Sequence, residues 1–181
     1  MKKILIGTHN TGKFKEISYL LSKSIKKISP IKLKIKSPKE TGKTFSSNAQ
    51  LKAKYFSKFT KLPVISDDSG ICIKALKNQP GIYSARWAKK HGSFSSAMKF
   101  ILKKIKKKKD RSAVCVCSLS FKYPRKKIIT VVGKIKGKIS YEMRGVNGFG
   151  YDPIFIPNSD ILTFGEMTKS SKINMDHRYI A

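Results

Sequence analysis

An apolar run that delivers two adjacent carboxylates, Leu62-Pro63-Val64-Ile65-Ser66-Asp67-Asp68-Ser69-Gly70, limits most tightly what this chain can fold into. Val64 and Ile65 are β-branched and follow a proline, the composition of a short buried strand, and Ser69-Gly70 supplies the turn expected to end it. Successive side chains of a strand point to opposite faces, so Asp67 and Asp68 are directed apart, and one can face a cleft while the other braces the loop. An Asx-type turn capped by carboxylates would use the same residues, so the pair alone does not establish a function.

At 181 residues, 40% of them hydrophobic, the chain fits one domain with room for two lobes and can bury a core. No stretch approaches the roughly 20 apolar residues of a membrane helix, and Met1-Lys2-Lys3 leads into only a short apolar run. Neither a signal peptide nor a span is expected, which makes the cytoplasm the expected compartment.

A formal charge of +30 points towards nucleic acid as a partner. The residue types argue otherwise. Only five of the 40 basic residues are arginine (86, 111, 125, 144 and 178), and the lysines are spread along the whole chain. Specific phosphate and base recognition favours the planar arginine fork, so this pattern reads as solvated surface lysine. The one dense run, Lys103-Lys104 with Lys106 to Lys109, reads as a helix end and exposed loop. Cys115 and Cys117 share one strand face, with Cys72 elsewhere. Lacking a nearby histidine or further cysteine they read as small core residues, and three cysteines, an odd count, fit a reducing compartment.

Lys2 to Gly7 reads as a first strand, followed by Phe14, Ile17, Leu20, Leu21 and Ile25 at helical spacing. Between them lies Gly7-Thr8-His9-Asn10-Thr11-Gly12-Lys13, a phosphate-binding arrangement of close-approach glycines, helix N–H groups and a lysine. It nearly matches the P-loop, but Phe14 stands where the magnesium-binding hydroxyl belongs. Ser29 to Pro38 alternates as Ile31, Leu33 and Ile35 against Lys32, Lys34 and Lys36, the period of a half-buried strand. Thr44 is a credible N-cap for a helix reaching about Phe59, with Phe45, Ala49, Phe56 and Phe59 as its apolar stripe. The helical wheel sets Lys52 in the middle of that stripe and Asn48 at its edge, so Lys52 either meets an anion or snorkels to water.

Asn78 to Gly81 forms a turn, residues 82–87 an ordered loop or short helix, and residues 96–105 a helix. Ala113 to Phe121 and Ile128 to Lys138 form a hairpin turning at Tyr123 to Lys126. Alternating elements followed by a hairpin indicate a mixed α/β sheet. In Gly145 to Phe155, glycines flank Phe149 so that its ring could serve as a flat platform for a base. Lys172, His177 and Arg178 offer further donors.

Taken in order, Thr8 to Lys13, Glu40-Thr41-Gly42-Lys43-Thr44-Phe45, Asn48-Ala49-Gln50-Leu51-Lys52-Ala53, Asp67-Asp68-Ser69-Gly70, Pro80 to Arg86, Gly148-Phe149-Gly150-Tyr151-Asp152-Pro153 and His177-Arg178 resemble the inosine/xanthosine triphosphate pyrophosphatase family, along almost the whole chain. The resemblance implies an α/β fold with an elongated mixed β-sheet flanked by helices, and two lobes around a central nucleotide-binding cleft. It also implies a homodimer, a Mg²⁺ cofactor, and hydrolysis of ITP, dITP or XTP to the monophosphate and pyrophosphate. Carried across, it makes Asp68 the proton acceptor for the attacking water, and Glu40 and Asp68 the metal ligands. Thr8, His9, Asn10, Thr11, Gly12, Lys13 and Lys52 fall at phosphate-contacting positions. Ser69, Phe149, Gly150, Tyr151, Asp152, Lys172, His177 and Arg178 fall around ribose and base.

Two features depart from the family pattern. Asp176 stands where serine is usual, placing a negative charge near the proposed base site. Residues 1–181 also read as a single domain that lacks the usual C-terminal helix, from which reduced stability or weaker base selectivity is expected. A P-loop-like NTPase and a non-catalytic basic nucleic-acid-binding protein are the competing readings. On the favoured reading neither a membrane nor a specific nucleic acid is a partner.

Overall fold

The structure, a computed structural model, describes residues 2–181. They form two compact units: residues 2–68 and 117–133 with Ala181, and residues 69–116 with 134–180.

The first unit contains β1 (Lys3–Ile6), α1 (Thr11–Leu20), β2 (Lys26–Ile28), α2 (Phe45–Ser57) and the opening half of β3 (Val64–Ile73). β1 pairs in parallel with β2, Leu5 opposite Ile28, and with β3, Leu5 opposite Val64. Parallel neighbours need long crossovers, which α1 and α2 provide. Leu5, Phe56 and Val64 form the core here, with Ile28, Ile35 and Tyr55 packed against it. α2 starts at the expected N-cap, where Thr44 Oγ1 accepts from Ser47 N at 3.0 Å and the Ser47 hydroxyl closes a capping box.

Three expectations for this unit fail. Ser29 to Pro38 is no strand: Pro30, which has no N–H to donate to a ladder, accepts from Leu33 N and Ile35 N in successive turns, and Ile31 and Leu33 stay exposed. The first helix stops at Leu20 instead of reaching Ile25, because Ser22 and Ser24 bond locally and Ser22 O takes Ile25 N. Phe59 lies beyond the end of α2 and is exposed.

The second unit contains β4 (Gln79–Pro80), α3 (Ser84–Lys90), α4 (Phe94–Lys104), β7 (Phe155–Pro157), α5 (Lys169–Ile173) and α6 (His177–Ile180). The hairpin strands β5 (Ser112–Lys122) and β6 (Ile128–Ile139) contribute segments to both units, as does β3. Ile71, Ile73, Met98, Ile101, Phe155 and Phe164 anchor the core of this unit. Cys115 and Cys117 are buried, as their strand positions implied, and residues 106–109 are exposed after the α4 end. The sheet order is β2-β1-β3-β5-β6-β7 with β4 paired to β3, a mixed sheet as expected. Among the described residues no helix is long and apolar enough to cross a membrane.

β3 does not turn at Ser69-Gly70 but runs on to Ile73. Gly70 serves close approach: a Cβ there would lie 2.3 Å from both Gly81 O and Ser84 Oγ, and Ser84 Oγ also receives Ile71 N at 3.0 Å. A glycine inside a strand marks such contact as readily as it marks a turn.

Candidate active site

In the first unit, the end of β1 must pass close to its neighbours, since a Cβ on Gly7 would fall 2.1 Å from Ser66 Oγ. The loop that follows is shaped by its own polar side chains. Thr8, itself buried, accepts Asn10 N at 3.2 Å, and Asn10 Oδ1 accepts Lys13 N at 3.0 Å as the N-cap of α1. Thr11 and Gly12 open the helix with their N–H groups outside its ladder. His9 Nε2 lies 2.9 Å from Ile35 O, and because a carbonyl only accepts, Nε2 carries the proton.

The carboxylates take different partners, as strand alternation implied. Asp67, fully buried, pairs with Lys13 at 3.0 Å, bracing the loop. Asp68, only 4% exposed, accepts Asn48 Nδ2 at 3.0 Å and lies 3.9 Å from Lys52 Nζ. Lys52, 6% exposed, meets Glu40 Oε1 at 2.7 Å. It therefore faces anions and does not snorkel.

Asn48, which the sequence reading places in a motif but not among the site residues, is a keystone in the structure. Its Oδ1 accepts Gly42 N at 2.7 Å while its amide donates to Asp68, so the loop carrying Glu40 and the carboxylate of Asp68 are held by one fully buried side chain. Its position at the edge of the α2 stripe was the available signal.

Burial drives the Asp68 pKa above its ordinary value, outweighing the opposing pull of Lys52 and Lys13, while Glu40 adds to the rise and the Asn48 hydrogen bond subtracts from it. For Lys52, burial alone would lower the pKa, but Asp67, Asp68 and Glu40 together outweigh it and hold the ammonium above its usual range. Three carboxylates face two ammonium groups in this cluster. A polyphosphate would be repelled by the excess unless a cation came with it. Hard oxygen donors of this kind suit a hard divalent cation that takes one or two carboxylates and fills the rest of its shell with water and phosphate oxygens. Among the described residues no three His, Cys, Asp or Glu side chains are gathered so that they could hold a metal ion by themselves.

In the second unit Gly148 and Gly150 adopt φ of +74° and +70°, the left-handed conformations that glycine tolerates. The bend they make brings Asp152 Oδ2 to Phe149 N at 2.7 Å, and the same oxygen accepts from the buried Lys172 Nζ at 2.6 Å. Lys172 Nζ and Arg178 Cζ lie over the Phe149 ring, 5.0 and 5.3 Å from its centroid. Arg178 Nη2 donates to Ser69 Oγ at 2.9 Å. Tyr151 is buried and anchors the loop by donating its hydroxyl to Ser84 O at 2.9 Å, and burial pushes its pKa up. His177 is buried beside Arg178 at the start of α6. Asp176 Oδ1 accepts the N–H groups of Arg178 and Tyr179 at 2.8 and 3.0 Å, so the acid in the usual serine position caps α6. Each of the predicted residues thus falls in one of two clusters, the first built by residues 8–13, 40, 52, 67 and 68, the second by Ser69, residues 149–152, Lys172, His177 and Arg178.

A Ham1 family model matches residues 4–181. The dITP/XTP pyrophosphatase of Caulobacter vibrioides is 39% identical over 178 residues, covering 97% of this chain and 92% of that protein. The enzyme of the same name from Dictyoglomus thermophilum is 41% identical, covering 98% of this chain and 89% of that protein. Among solved structures, a HAM1 protein from Coxiella burnetii superposes with a TM-score of 0.88 at 34% identity, covering 99% of this chain and 94% of that one. The Staphylococcus aureus Ham1 protein gives a TM-score of 0.86 at 35% identity, with the same coverage. Matching that family in sequence and in fold over nearly its whole length, the chain belongs to the Ham1 family.

Proposed function

We propose that this chain hydrolyses non-canonical purine nucleoside triphosphates (dITP, XTP and ITP) to the monophosphate and pyrophosphate. The names of the curated relatives support the reaction and the substrate class. The observation that carries the chemistry is the Asp68 carboxylate, buried, raised in pKa and oriented by Asn48. Such a group is a stronger base than a surface carboxylate, while Lys52 and Lys13 favour its ionised form. Water attacks the α-phosphorus and gives its proton to Asp68. The bond from that phosphorus to the oxygen shared with the β-phosphorus breaks, and pyrophosphate leaves. Lys13, Lys52 and the N–H groups of Thr11 and Gly12 hold the polyphosphate and stabilise the charge gathering on the leaving group, while Thr8, His9 and Asn10 shape the loop. Glu40 and Asp68 would hold Mg²⁺, which when bound offsets the negative charge of carboxylates and phosphates and acidifies water.

The second cluster takes the nucleoside, with Phe149 and the Gly150-Tyr151-Asp152 loop against the base and Ser69, Lys172, His177 and Arg178 as donors. Hypoxanthine and xanthine present an acceptor oxygen at the purine 6-position, whereas adenine presents a donor. An Arg178 N–H aimed there would discriminate by roughly 10⁴. A homodimer in a reducing cytoplasm, which the odd count of three cysteines fits, completes the reading, and sedimentation equilibrium tests the dimer.

A panel of nucleoside triphosphates with Mg²⁺, scored for pyrophosphate, tests the proposal. ITP, dITP and XTP should lead, and Asp68→Asn should lower turnover by about 10²–10⁴. Direct release of orthophosphate from the γ-position, or undiminished turnover by Asp68→Asn, would overturn it.

A further inference from the structure

A pocket of about 550 Å³ lies in the second unit, where Lys109 and Arg111 precede β5, Lys138 stands on β6, and Tyr141 follows β6. None of these residues belongs to the nucleotide clusters described above. Arg111 is only 8% exposed and has no ion-pair partner among the described residues. Its Nε donates to Ile139 O at 2.8 Å, its Nη1 to Ile105 O at 3.2 Å, and its Nη2 to Ser140 O. A guanidinium has five N–H donors, so two remain on a group that lines the pocket. The Tyr141 ring lies over the guanidinium, 4.4 Å from Cζ to centroid, yet is 83% exposed.

The three carbonyls explain part of this arrangement. Ile105 is the C-cap of α4, and a helix C-terminus carries about half a negative charge, so Arg111 completes that end. A buried full charge needs more than that, and burial pulls the Arg111 pKa below its ordinary value. The rim adds Lys109 and Lys138, both exposed. Of the two acids on the wall, Asp110 is occupied by Lys74 at 2.9 Å and by Ser112 N at 2.9 Å, which leaves Glu142 against three cations. Arg144, the other basic residue of the wall, is turned to Glu166 at 3.4 Å.

We infer that this pocket is a second binding site, taking the phosphoryl oxyanion of a small phosphorylated ligand on the Arg111 guanidinium between Lys109 and Lys138. The fork of Arg111 is the donor geometry that phosphate oxygens match, and the lysines act as point charges beside it. The open face of Tyr141 provides a stacking surface if the ligand carries a base.

The test is calorimetric titration of the whole chain, without metal, with inorganic pyrophosphate and separately with inosine monophosphate. Replacement of Arg111 risks the fold, so the pocket is altered at its rim by Lys109→Glu/Lys138→Glu, with Lys23→Glu/Lys26→Glu as a control of equal charge change on the first unit. A Lys13→Ala/Lys52→Ala variant disables the polyphosphate cluster. Pyrophosphate binding should persist in that variant and weaken at least tenfold in the rim variant, whose turnover of ITP stays at the parent level, while the control binds like the parent. Loss of every binding event in Lys13→Ala/Lys52→Ala, or equal weakening by the rim variant and the control, would overturn the inference, the second outcome because it marks general attraction to a highly basic chain. Tyr141→Ala separates the sources: weakened monophosphate binding with unchanged pyrophosphate binding identifies a nucleotide, and no change in either identifies the oxyanion alone. Both results uphold the site.

Discussion

Replacing Lys52 by methionine removes the cation on which Glu40 and Asp68 converge while nearly preserving volume, since a flexible thioether fills the space of the lysine stem. Breaking a buried ion pair by deleting one partner destabilises by about 3–5 kcal/mol. The lower end applies here. The Glu40 side chain is 27% exposed and can return to water, and Asp68 keeps its Asn48 hydrogen bond and the field of Lys13. A loss of about 3 kcal/mol corresponds to a fall in Tm of about 6–12 °C for a chain of this size.

The pH dependence of that loss follows from the Asp68 carboxyl. Its folded pKa is raised above its unfolded value, so the folded state holds the extra proton between the two pKa values and stability falls as pH rises through that window. Lys52 is the largest influence holding the value down, so Lys52→Met raises it further and widens the window. The deficit of the variant should be full at pH 8 and should shrink on acidification towards the unfolded carboxylate value of about 4. Urea denaturation of parent, Lys52→Met and Lys52→Arg from pH 5 to 8 measures it, and the arginine variant, which retains the charge, should show a smaller deficit with little pH dependence. A Lys52→Met deficit that is absent, or constant across that range, would refute the claim that this lysine compensates buried carboxylates.

Gly70→Ala should destabilise by about 3 kcal/mol, read by thermal melting, because the new methyl would stand 2.3 Å from a backbone carbonyl and from the Ser84 hydroxyl. Arg178→Lys keeps the charge but loses the planar fork that reaches Ser69, so the preference for ITP over ATP in kcat/KM should drop by about 10²–10³ with Tm little changed. The Cys72 thiol is pushed up by burial, with Lys134 opposing, so its alkylation rate should climb only above the usual thiol range, and buried Cys115, raised much further, should react only on unfolding; fast labelling of either at pH 7 would contradict this.

What the sequence made legible were features decided locally. The Thr44 cap follows from the hydroxyl at the start of a periodic run, and inward placement of Lys52 follows from the 3.6-residue period once the phenylalanines of α2 define its buried face. The partition of Asp67 and Asp68 between Lys13 and Asn48 follows from the period of two. What escaped depended on distant chain. Gly70 has the composition of a turn, and only the arrival of Gly81 and Ser84 makes it a glycine of close approach within a continuing strand. The Ile-Lys alternation of residues 31–36 has strand periodicity, but Pro30 and the lack of any cover for Ile31 and Leu33 leave it as turns. Asn48 was visible as an edge residue, but its two-way hydrogen bonding needed the loop at Gly42 to be brought against the strand at Asp68.

The charge composition, which first suggested nucleic acid, is more informative from its minority side. The chain has 40 basic residues and only 10 acids, so a carboxylate that only adorned the surface would be scarce by composition alone. Glu40, Asp67 and Asp68 nevertheless gather in one cluster, and Asp152 and Asp176 organise the other, one through Lys172 and the Phe149 backbone, one by capping the turn that carries Arg178. Half of the acids therefore stand where a specific geometry requires an anion, four of these five being buried, while most lysines line exposed positions where a cation needs no partner. In a chain so biased towards lysine, the acids mark its chemistry better than the lysines do.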